Sequence, residues 1–236
     1  MPHRPTVLCY HGVSDAWEDA LAVTHAALER QIRAMLRRGY APIPADDVAT
    51  TYGKAFHVTF DDAFANIRAA LERLVSFGVS ASVYACTGYA DDGRPLDVER
   101  LSSTDGDHHR RTMTWDELRD VVAMGVEVGS HTISHPRLTE LSDAELRVEL
   151  RVSKEQLEDE LQRRCAFLVY PFGDQDARVR AAARDAGYSA AFADYQPFDV
   201  FAIPRVGIYR NDTRWRGDFK LSKLGQFIAT RRLERR

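Results

Sequence analysis

A pair of adjacent carboxylates, Asp61 and Asp62, follows an apolar run that ends at Phe60. The run has the composition of a buried strand, and a helical pattern begins directly after it. One aspartate could simply cap that helix while both stay solvated, because Asp is a favoured residue at a helix N-terminus. The other interpretation is a pair of anions at the end of a strand, where they could bind a cation or accept a proton.

Two histidines four positions apart, His131 and His135, follow a second apolar run at 126–129. Neutral imidazoles and a carboxylate suit zinc or another divalent transition metal, and three protein ligands leave one coordination position open for water. Two histidines without a carboxylate are equally consistent with a structural role. Together with Asp61 and Asp62, they form a candidate site of two histidines and one carboxylate, with a second carboxylate beside it.

Short apolar runs alternate with amphipathic segments along the chain, which is the pattern of βα units around a mostly parallel sheet. We therefore predict an α/β fold that resembles a barrel. The predicted strands are 6–10, 56–60, 81–85, 126–129, 167–170 and 190–192, with 203–208 as a last candidate. The predicted helices are 24–39, 63–77, 114–124, 142–163 and 176–186.

Glycines mark the ends of several predicted helices. Gly78, Gly125 and Gly187 each follow a helical segment, where a left-handed residue is usual.

The polar stretch 88–112 lacks periodicity and is predicted to be a long loop between a strand and a helix. No linker or internal repeat divides the chain, so we predict a single domain over residues 1–236.

The composition excludes several classes of protein. Lys and Arg total 32 against 35 for Asp and Glu, and a net charge of -3 gives no broad attraction to nucleic acid or anionic membranes. No run is long enough for a membrane span, and the N-terminus lacks the apolar core of a signal peptide, so the chain as given is predicted to be cytoplasmic. The three widely spaced cysteines indicate buried free thiols.

Four segments resemble motifs of one family. Residues 59–62 (TFDD) and 130–136 (SHTISHP) are similar to the first two motifs of the polysaccharide deacetylases, also called carbohydrate esterase family four or NodB-like proteins. Residues 170–173 (YPFG) resemble the third motif, and 8–13 (LCYHGV) resemble the opening of a branch whose order is permuted at the N-terminus. The resemblance implies a distorted (β/α) barrel.

The resemblance also implies a division of roles between the residues. Asp62, His131 and His135 would hold a divalent metal ion, and Asp61 would stay unbound as the general base. Zinc is the expected metal, although cobalt, nickel and iron accept the same ligands. The substrate implied by the family is an N-acetylated sugar, from which hydrolysis releases acetate and a free amine.

The third motif departs from the family pattern. The resemblance assigns an oxyanion and substrate loop to Tyr170, Pro171 and Phe172, with the backbone N–H of Phe172 as the oxyanion donor. However, Tyr170 stands where the family usually has an arginine, and Ala63 stands where a glycine usually follows the aspartate pair. Asp61 therefore lacks the arginine that normally orients it.

Two further residues could complete the site. No histidine follows His135, so the usual late histidine that protonates the leaving amine is missing. By the permuted order, His11 at the end of the first strand takes this role; the alternative is a histidine hydrogen-bonded within a turn. Arg205 could reach Asp61 from a later strand and orient it. An exposed surface arginine is the alternative for that position.

The sequence thus favours a metal-dependent carbohydrate N-deacetylase. Two other functions stay open: hydrolysis of a small non-sugar amide or imide on the same fold, and glycan binding without catalysis. The intact pair of aspartates beside the histidines argues against a binding module, because binding alone does not require a spare carboxylate.

Overall fold

The computed structural model describes residues 4–97, 107–194 and 197–212. The strands of this part of the chain are β1 (Thr6–Tyr10), β2 (Gly12–Val13), β3 (Ala22–Val23), β4 (Ala41–Pro42), β5 (Ala55–Phe60), β6 (Ala81–Ala85), β7 (Glu127–Ser130), β8 (Phe167–Val169), β9 (Ala190–Ala193), β10 (Ile203–Pro204) and β11 (Val206–Gly207). The helices are α1 (His25–Arg37), α2 (Arg68–Ser76), α3 (Trp115–Ala123), α4 (Asp143–Leu161) and α5 (Ala177–Asp185).

The main sheet is parallel and returns on itself. Its strands follow the order β10-β9-β8-β7-β6-β5-β1-β11, and β4 adds to the start of β5. β10 pairs with β9 at one end of this row, and β11 pairs with β1 at the other. Because Arg205 alone separates β10 from β11 in the chain, the two ends of the row meet and the sheet forms a nearly closed barrel. The predicted α/β barrel is confirmed.

Alternate residues of the strands pack on opposite faces of the sheet, as the period of two requires. Val7 and Tyr84 belong to one buried cluster together with Phe192 and Ile203 of the later strands. Their neighbours Leu8 and Val83 belong to a larger cluster that includes the apolar residues of the helices. This second cluster contains Leu71 of α2, Leu118 of α3 and Leu150 of α4, so the helices cover the outside of the barrel.

The register places the ends of neighbouring strands at one rim. Tyr10 pairs with Phe60 across β1 and β5, and Ala85 pairs with Ser130 across β6 and β7. All of these pairings are parallel, so the residues that directly follow the strands emerge on the same side. The residues at 11, 61 and 131 therefore start from neighbouring positions in space.

The helices begin and end close to the predicted positions. Thr24 caps α1, and Thr114 and Ser142 form capping boxes with Glu117 and Glu145 at the starts of α3 and α4. The glycines that follow α2, α3 and α5 all have positive φ angles, between 67° and 86°. None of the described helices combines the length and apolarity that a membrane crossing requires.

Two predicted elements differ from the structure. The helix expected from residue 63 begins only at Arg68, because Asp62 and Ala63 adopt φ angles of 67° and 48° and a short 3₁₀ turn follows. The candidate strand 203–208 is interrupted at Arg205, where the chain passes from pairing with β9 to pairing with β1. The single-domain prediction for 1–236 stays a prediction, since the described residues do not span the whole chain.

Candidate active site

Asp62, His131 and His135 converge at the rim of the barrel. One ligand atom from each of them lies within 4.8 Å of the other two. The Oδ1 atom of Asp62 is 3.5 Å from Nε2 of His131 and 3.5 Å from Nε2 of His135. All three side chains are buried. The structure thus brings the three predicted metal ligands together, although they are separated by up to 73 positions in the sequence, from 62 to 135.

The chemistry of these three atoms fits a divalent cation. Burial lowers the pKa of His131 to about 4 and that of His135 to about 2, so both imidazoles are neutral at neutral pH. Among the described residues, Asp62 Oδ1 has no hydrogen-bond partner. Donor atoms bound to a tetrahedral zinc ion at about 2.1 Å lie about 3.4 Å apart, close to the separation found here. A cation would supply the positive charge that this group of buried electron-pair donors lacks.

A backbone contact orients the first of the two histidines. Nδ1 of His131 lies 2.9 Å from the carbonyl oxygen of Val169 in β8. This contact assigns the proton to Nδ1 and leaves Nε2 facing Asp62 with its lone pair. The same arrangement is typical of histidines that bind metals in proteins.

Unusual backbone conformations accumulate around the site. Among the described residues other than glycine, positive φ angles occur at Asp62, Ala63, Thr132, His135 and Phe172, with one further case at the end of α4. Side chains with a Cβ atom adopt this region at a cost of about 1–2 kcal/mol each. Such strain persists only where the surrounding structure fixes it, and it is commonly found at functional sites. The sequence gives no sign of this at Ala63, where a glycine would have indicated it.

Asp61 lies beside Asp62 but has different neighbours. Its Oδ1 and Oδ2 accept hydrogen bonds from Nη1 and Nη2 of Arg205 at 2.6 Å and 2.8 Å. Arg205 is only 2% exposed, so it is not the surface arginine of the alternative interpretation. Burial raises the pKa of Asp61, but the charge and hydrogen bonds of Arg205 outweigh this effect and hold that pKa below its usual range. The carboxylate of Asp61 is therefore ionised and fixed in orientation.

Two additional groups complete the surroundings of this ion pair. Nη1 of Arg205 also donates to Thr59 Oγ1 at 3.2 Å, and the thiol of Cys9 lies 3.4 Å from Asp61 Oδ2. Sequence analysis did not assign Cys9 to the site. However, Cys9 lies on β1 two residues before His11, which directly follows the strand, and this spacing places both on one face. Burial raises the pKa of Cys9 well above its usual value, so the thiol stays protonated and donates to Asp61.

Cys9, His11 and Asp61 also lie close enough together to be considered as metal ligands. This second group fits a metal ion poorly, because Arg205 occupies both carboxylate oxygens of Asp61 and Cys9 keeps its proton. The group of Asp62, His131 and His135 is the better candidate.

His11 faces Asp61 from the end of β1. Its Nε2 is 4.0 Å from Asp61 Oδ2, and its ring stacks on Tyr209 with 6.1 Å between centroids. Among the described residues, Nδ1 has no hydrogen-bond partner, which does not support a histidine bonded within a turn. Burial lowers the pKa of His11, and the charge of Asp61 partly opposes that change.

The third motif forms a tight turn against the metal ligands. Tyr170 is fully buried and donates its hydroxyl proton to the Phe201 carbonyl, so it supports the turn and does not replace the missing arginine. Phe172 has a φ of 59°, and its ring packs edge-on against His135 with 4.6 Å between centroids. The N–H groups of the two residues after Phe172 donate to the carbonyls of Tyr170 and Pro171.

One cavity joins all of these groups. It is lined by the predicted residues at 11, 61, 62, 131, 135, 170, 172 and 205, and Gly173 and Tyr209 also contribute. Cys9, Leu21 and Asp194 line it as well and were not predicted as site residues. They are drawn from three separate segments. Asp194 weakly resembles part of the family's fourth motif, whereas no local sequence signal connects Leu21 with the motifs.

Fold and site define a parallel (β/α) barrel with a candidate metal site at the carboxyl ends of its strands. The chain belongs to the polysaccharide deacetylase family, whose sequence profile matches residues 49–191, more than half of its length. The predicted family resemblance is therefore confirmed. The matched range includes Asp61 and Asp62, both metal-site histidines and the third motif, but it excludes His11 and Arg205.

Individual relatives are distant. YxkH of Bacillus subtilis (strain 168), which is named for the same family, is 21% identical over 195 residues, or 79% of this chain. The match spans only 63% of the length of YxkH.

Two solved structures are similar to this chain in fold. The Streptococcus pyogenes deacetylase PplD in complex with acetate aligns with a TM-score of 0.78 and 18% identity, and the alignment covers 94% of this chain and 100% of PplD. A de-N-acetylase from Aggregatibacter actinomycetemcomitans has a TM-score of 0.74 and 18% identity, covering 92% of this chain and 99% of its own. At such low identity, the two structures support the fold alone, and the assignment to an N-terminally permuted branch stays a prediction.

Proposed function

We propose that this protein is a metal-dependent hydrolase that removes N-acetyl groups from a sugar, glycan or glycoconjugate and releases acetate and a free amine. The observation that carries the proposal is the arrangement of two buried carboxylates with opposite surroundings. Asp62 faces two neutral imidazoles without a counter-charge, and Asp61 is paired with Arg205. The two adjacent aspartates are therefore suited to different roles, Asp62 as a metal ligand and Asp61 as a base.

Asp62, His131 and His135 would hold the metal, with zinc as the expected ion. When bound, a zinc ion polarises an acyl carbonyl and makes a water molecule acidic enough to lose a proton near neutral pH. Cobalt, nickel or iron would fit the same donor atoms.

Asp61 acts as the general base in this proposal. A base must be ionised and within reach of the attacking water, and Arg205 keeps the carboxylate in that state at the edge of the cavity. Asp61 takes the proton of the water as its oxygen forms a bond to the acetamide carbon. The backbone N–H of Phe172 donates to the carbonyl oxygen as negative charge develops there.

His11 supplies the proton that the leaving group needs. Asp61 passes the proton that it took from the water to His11, whose Nε2 is 4.0 Å from Asp61 Oδ2. As the bond between the acyl carbon and nitrogen breaks, His11 donates this proton to the nitrogen and the amine departs. His11 lines the same cavity as Asp61 and Phe172. Acetate and the free amine account for every atom of the amide and the water.

The comparisons support the substrate class. The family is named for deacetylation of polysaccharides, one neighbour was crystallised with acetate, and another is described as a de-N-acetylase. These descriptions concern the other proteins, and for this chain they support an N-acetylated sugar as the substrate.

The test is acetate release by zinc-loaded protein from a panel of N-acetylated mono- and oligosaccharides, with small amides and cyclic imides included. We expect release from at least one sugar, and a loss of at least 100-fold in Asp61→Asn with zinc still bound one to one. Asp185→Asn, an exposed change in α5, is the matched control and should behave as the wild type. Zinc binding with hydrolysis of imides but of no sugar would overturn the proposed substrate class.

A further inference from the structure

The turn between the two histidines, residues 132–134, is strained and closely held. Thr132 and His135 have φ angles of 72° and 61°. The carbonyl oxygens of Thr132 and Ile133 accept hydrogen bonds from the N–H groups of Thr87 and Gly88, at 3.1 Å and 2.9 Å. One side of the turn is thus bound to the segment that follows β6.

A single carboxylate from a different element holds the other side. Oε2 of Glu149 accepts from the backbone N–H groups of Ile133 at 2.8 Å and Ser134 at 3.1 Å. Oε1 of the same residue accepts from the Ser134 hydroxyl at 2.6 Å. Glu149 lies in the first half of α4 and is half-buried. The side chain of Glu149 therefore accepts three hydrogen bonds from Ile133 and Ser134, the last two residues of the turn.

The helix that carries Glu149 is itself fixed against the strand that precedes the turn. The hydroxyl of Ser153, one helical turn further along α4, lies 2.9 Å from the hydroxyl of Ser130 at the end of β7. Ser130 in turn accepts from the N–H of Thr132 at 3.1 Å. These contacts fix the position of α4 relative to the turn, and therefore also the position of the Glu149 carboxylate.

His131 and His135 differ in how far they depend on this turn. His131 is fixed independently, since its N–H donates to Ala85 and its ring contacts the Val169 carbonyl. His135 comes after the turn, and among the described residues its own N–H donates to the Thr132 hydroxyl alone, at 3.1 Å within the same segment. Any relaxation of the turn would therefore move His135 relative to His131 and Asp62.

We propose that Glu149 is a positioning residue that sets the separation of the two histidine ligands by holding the turn between them. This inference rests on the metal centre of the proposed function. Glu149 makes no contact with the ligand atoms and acts through the backbone of Ile133 and Ser134. Water could satisfy the exposed N–H of Ser134, but it would not fix the turn in its strained conformation. By holding the turn, Glu149 increases the affinity of the site for the metal ion.

The experiment measures the Kd for Zn²⁺ by competition with a chromophoric chelator in the purified full-length chain. Residues that orient metal ligands through hydrogen bonds typically change metal affinity by about 10- to 100-fold when removed. We expect Glu149→Ala to bind zinc at least about 10-fold more weakly. Glu149→Gln should stay close to the wild type, because its carboxamide oxygen can accept both N–H groups and its carboxamide NH2 can donate to the hydroxyl oxygen of Ser134.

Glu155→Ala is the matched control, because it removes the same charge from an exposed position on α4 that pairs with Arg151 alone among the described residues. It should leave the Kd unchanged. Glu149→Asp shortens the side chain and should weaken zinc binding even if Glu149→Ala fails to fold. The melting temperature of each metal-free variant separates a loss of fold from a loss of affinity.

Tight zinc binding by wild type, Glu149→Ala and Glu149→Asp alike would overturn the role of Glu149 while leaving the metal centre intact. A wild-type protein that binds no zinc would overturn the metal centre itself, and the positioning role with it. Equal weakening by Glu149→Ala and Glu149→Gln would indicate a charge effect and would also contradict positioning by hydrogen bonds.

Discussion

Arg205 and Asp61 form a buried ion pair with two hydrogen bonds, and the geometry depends on the planar fork of the guanidinium. A lysine at this position would keep the charge but could not bond both oxygens in the same plane. At the scale of single residues, the pair explains how the site can lack the arginine of the family's third motif. In the proposed mechanism, the orienting charge comes instead from Arg205, between the two strands that close the barrel.

We expect Arg205→Lys to lower kcat by about 10- to 100-fold with little change in zinc stoichiometry, because the base loses its fixed orientation while the metal ligands keep theirs. Steady-state kinetics of acetate release and zinc titration give the two quantities. Arg119→Lys is the control, since Arg119 also makes two hydrogen bonds to carboxylates but lies on the surface of α3. An unchanged kcat in Arg205→Lys would refute the orienting role.

The role of His11 can be tested through the leaving group. A proton donor matters most when the departing group is a poor one, such as an alkylamine, and least when it leaves as a stable anion. We expect His11→Gln to reduce deacetylation of an N-acetyl sugar by about 100-fold but hydrolysis of an activated aryl acetate by far less. His25→Gln, which changes an exposed histidine also close to an aspartate, should affect neither. Equal losses on both substrates would rule out His11 as the donor.

At the scale of elements, β5 carries both structural and chemical polar groups along one face. His57, Thr59 and Asp61 alternate along this strand and its end, so they lie on the same face. His57 is fully buried, with Nδ1 2.8 Å from the Ile43 carbonyl and Nε2 2.9 Å from the Ser82 hydroxyl. The strand thus connects a buried, hydrogen-bonded histidine in the barrel wall with the proposed base at the rim.

His57 should make the stability of the fold depend on pH. Burial lowers its pKa to about 4, below the value of about 6.5 in an unfolded chain. Between these values the unfolded chain binds a proton that the folded chain does not, so stability falls as the pH decreases from 6.5 towards 4. At pH 5, protonation of His57 in the unfolded chain lowers the free energy of unfolding by about 2 kcal/mol relative to neutral pH.

Urea unfolding at pH 7.5 and pH 5 measures this contribution. Wild type and His57→Gln should both lose stability on acidification, because other buried histidines also titrate, but the variant should lose about 2 kcal/mol less. An identical loss in both proteins would show that His57 does not carry the effect. The comparison uses the difference between the two pH values, so a constant destabilisation by the substitution cancels.

At the scale of the whole molecule, the site joins distant parts of the chain. His11 directly follows β1, Asp61 and Asp62 directly follow β5, and Arg205 lies between β10 and β11. Metal binding would connect β5 and the turn after β7, both of which belong to the continuous sheet. Metal binding should therefore stabilise the global fold.

We expect zinc at about 100 times its Kd to raise stability by about 2.7 kcal/mol, which corresponds to roughly 5–10 °C in Tm for a chain of this size. A chelator should reverse the increase. Asp62→Asn should abolish most of this shift, whereas Asp61→Asn should retain it, since Asp61 is not among the proposed ligands. Differential scanning fluorimetry measures all four conditions. A zinc-dependent shift that survives in Asp62→Asn would contradict the ligand assignment.

The sequence by itself determined the barrel and the proposed metal ligands. Apolar runs that end in Asp61-Asp62 or His131 are local patterns, and parallel strands bring such ends to one rim whatever connects them. Most helix boundaries were also predictable within a few residues, because caps such as Thr114 and C-terminal glycines act locally.

Other features were decided by the tertiary structure alone. The bonds from Arg205 to Asp61 span 144 positions, and their existence depends on where the barrel closes. The left-handed Ala63 delayed the following helix, although alanine itself favours helices, because the surrounding fold fixes the turn. Glu149 reaches the turn between the histidines through the packing of α4 on β7. Contacts between elements distant in the chain depend on packing geometry, which local residue patterns do not encode.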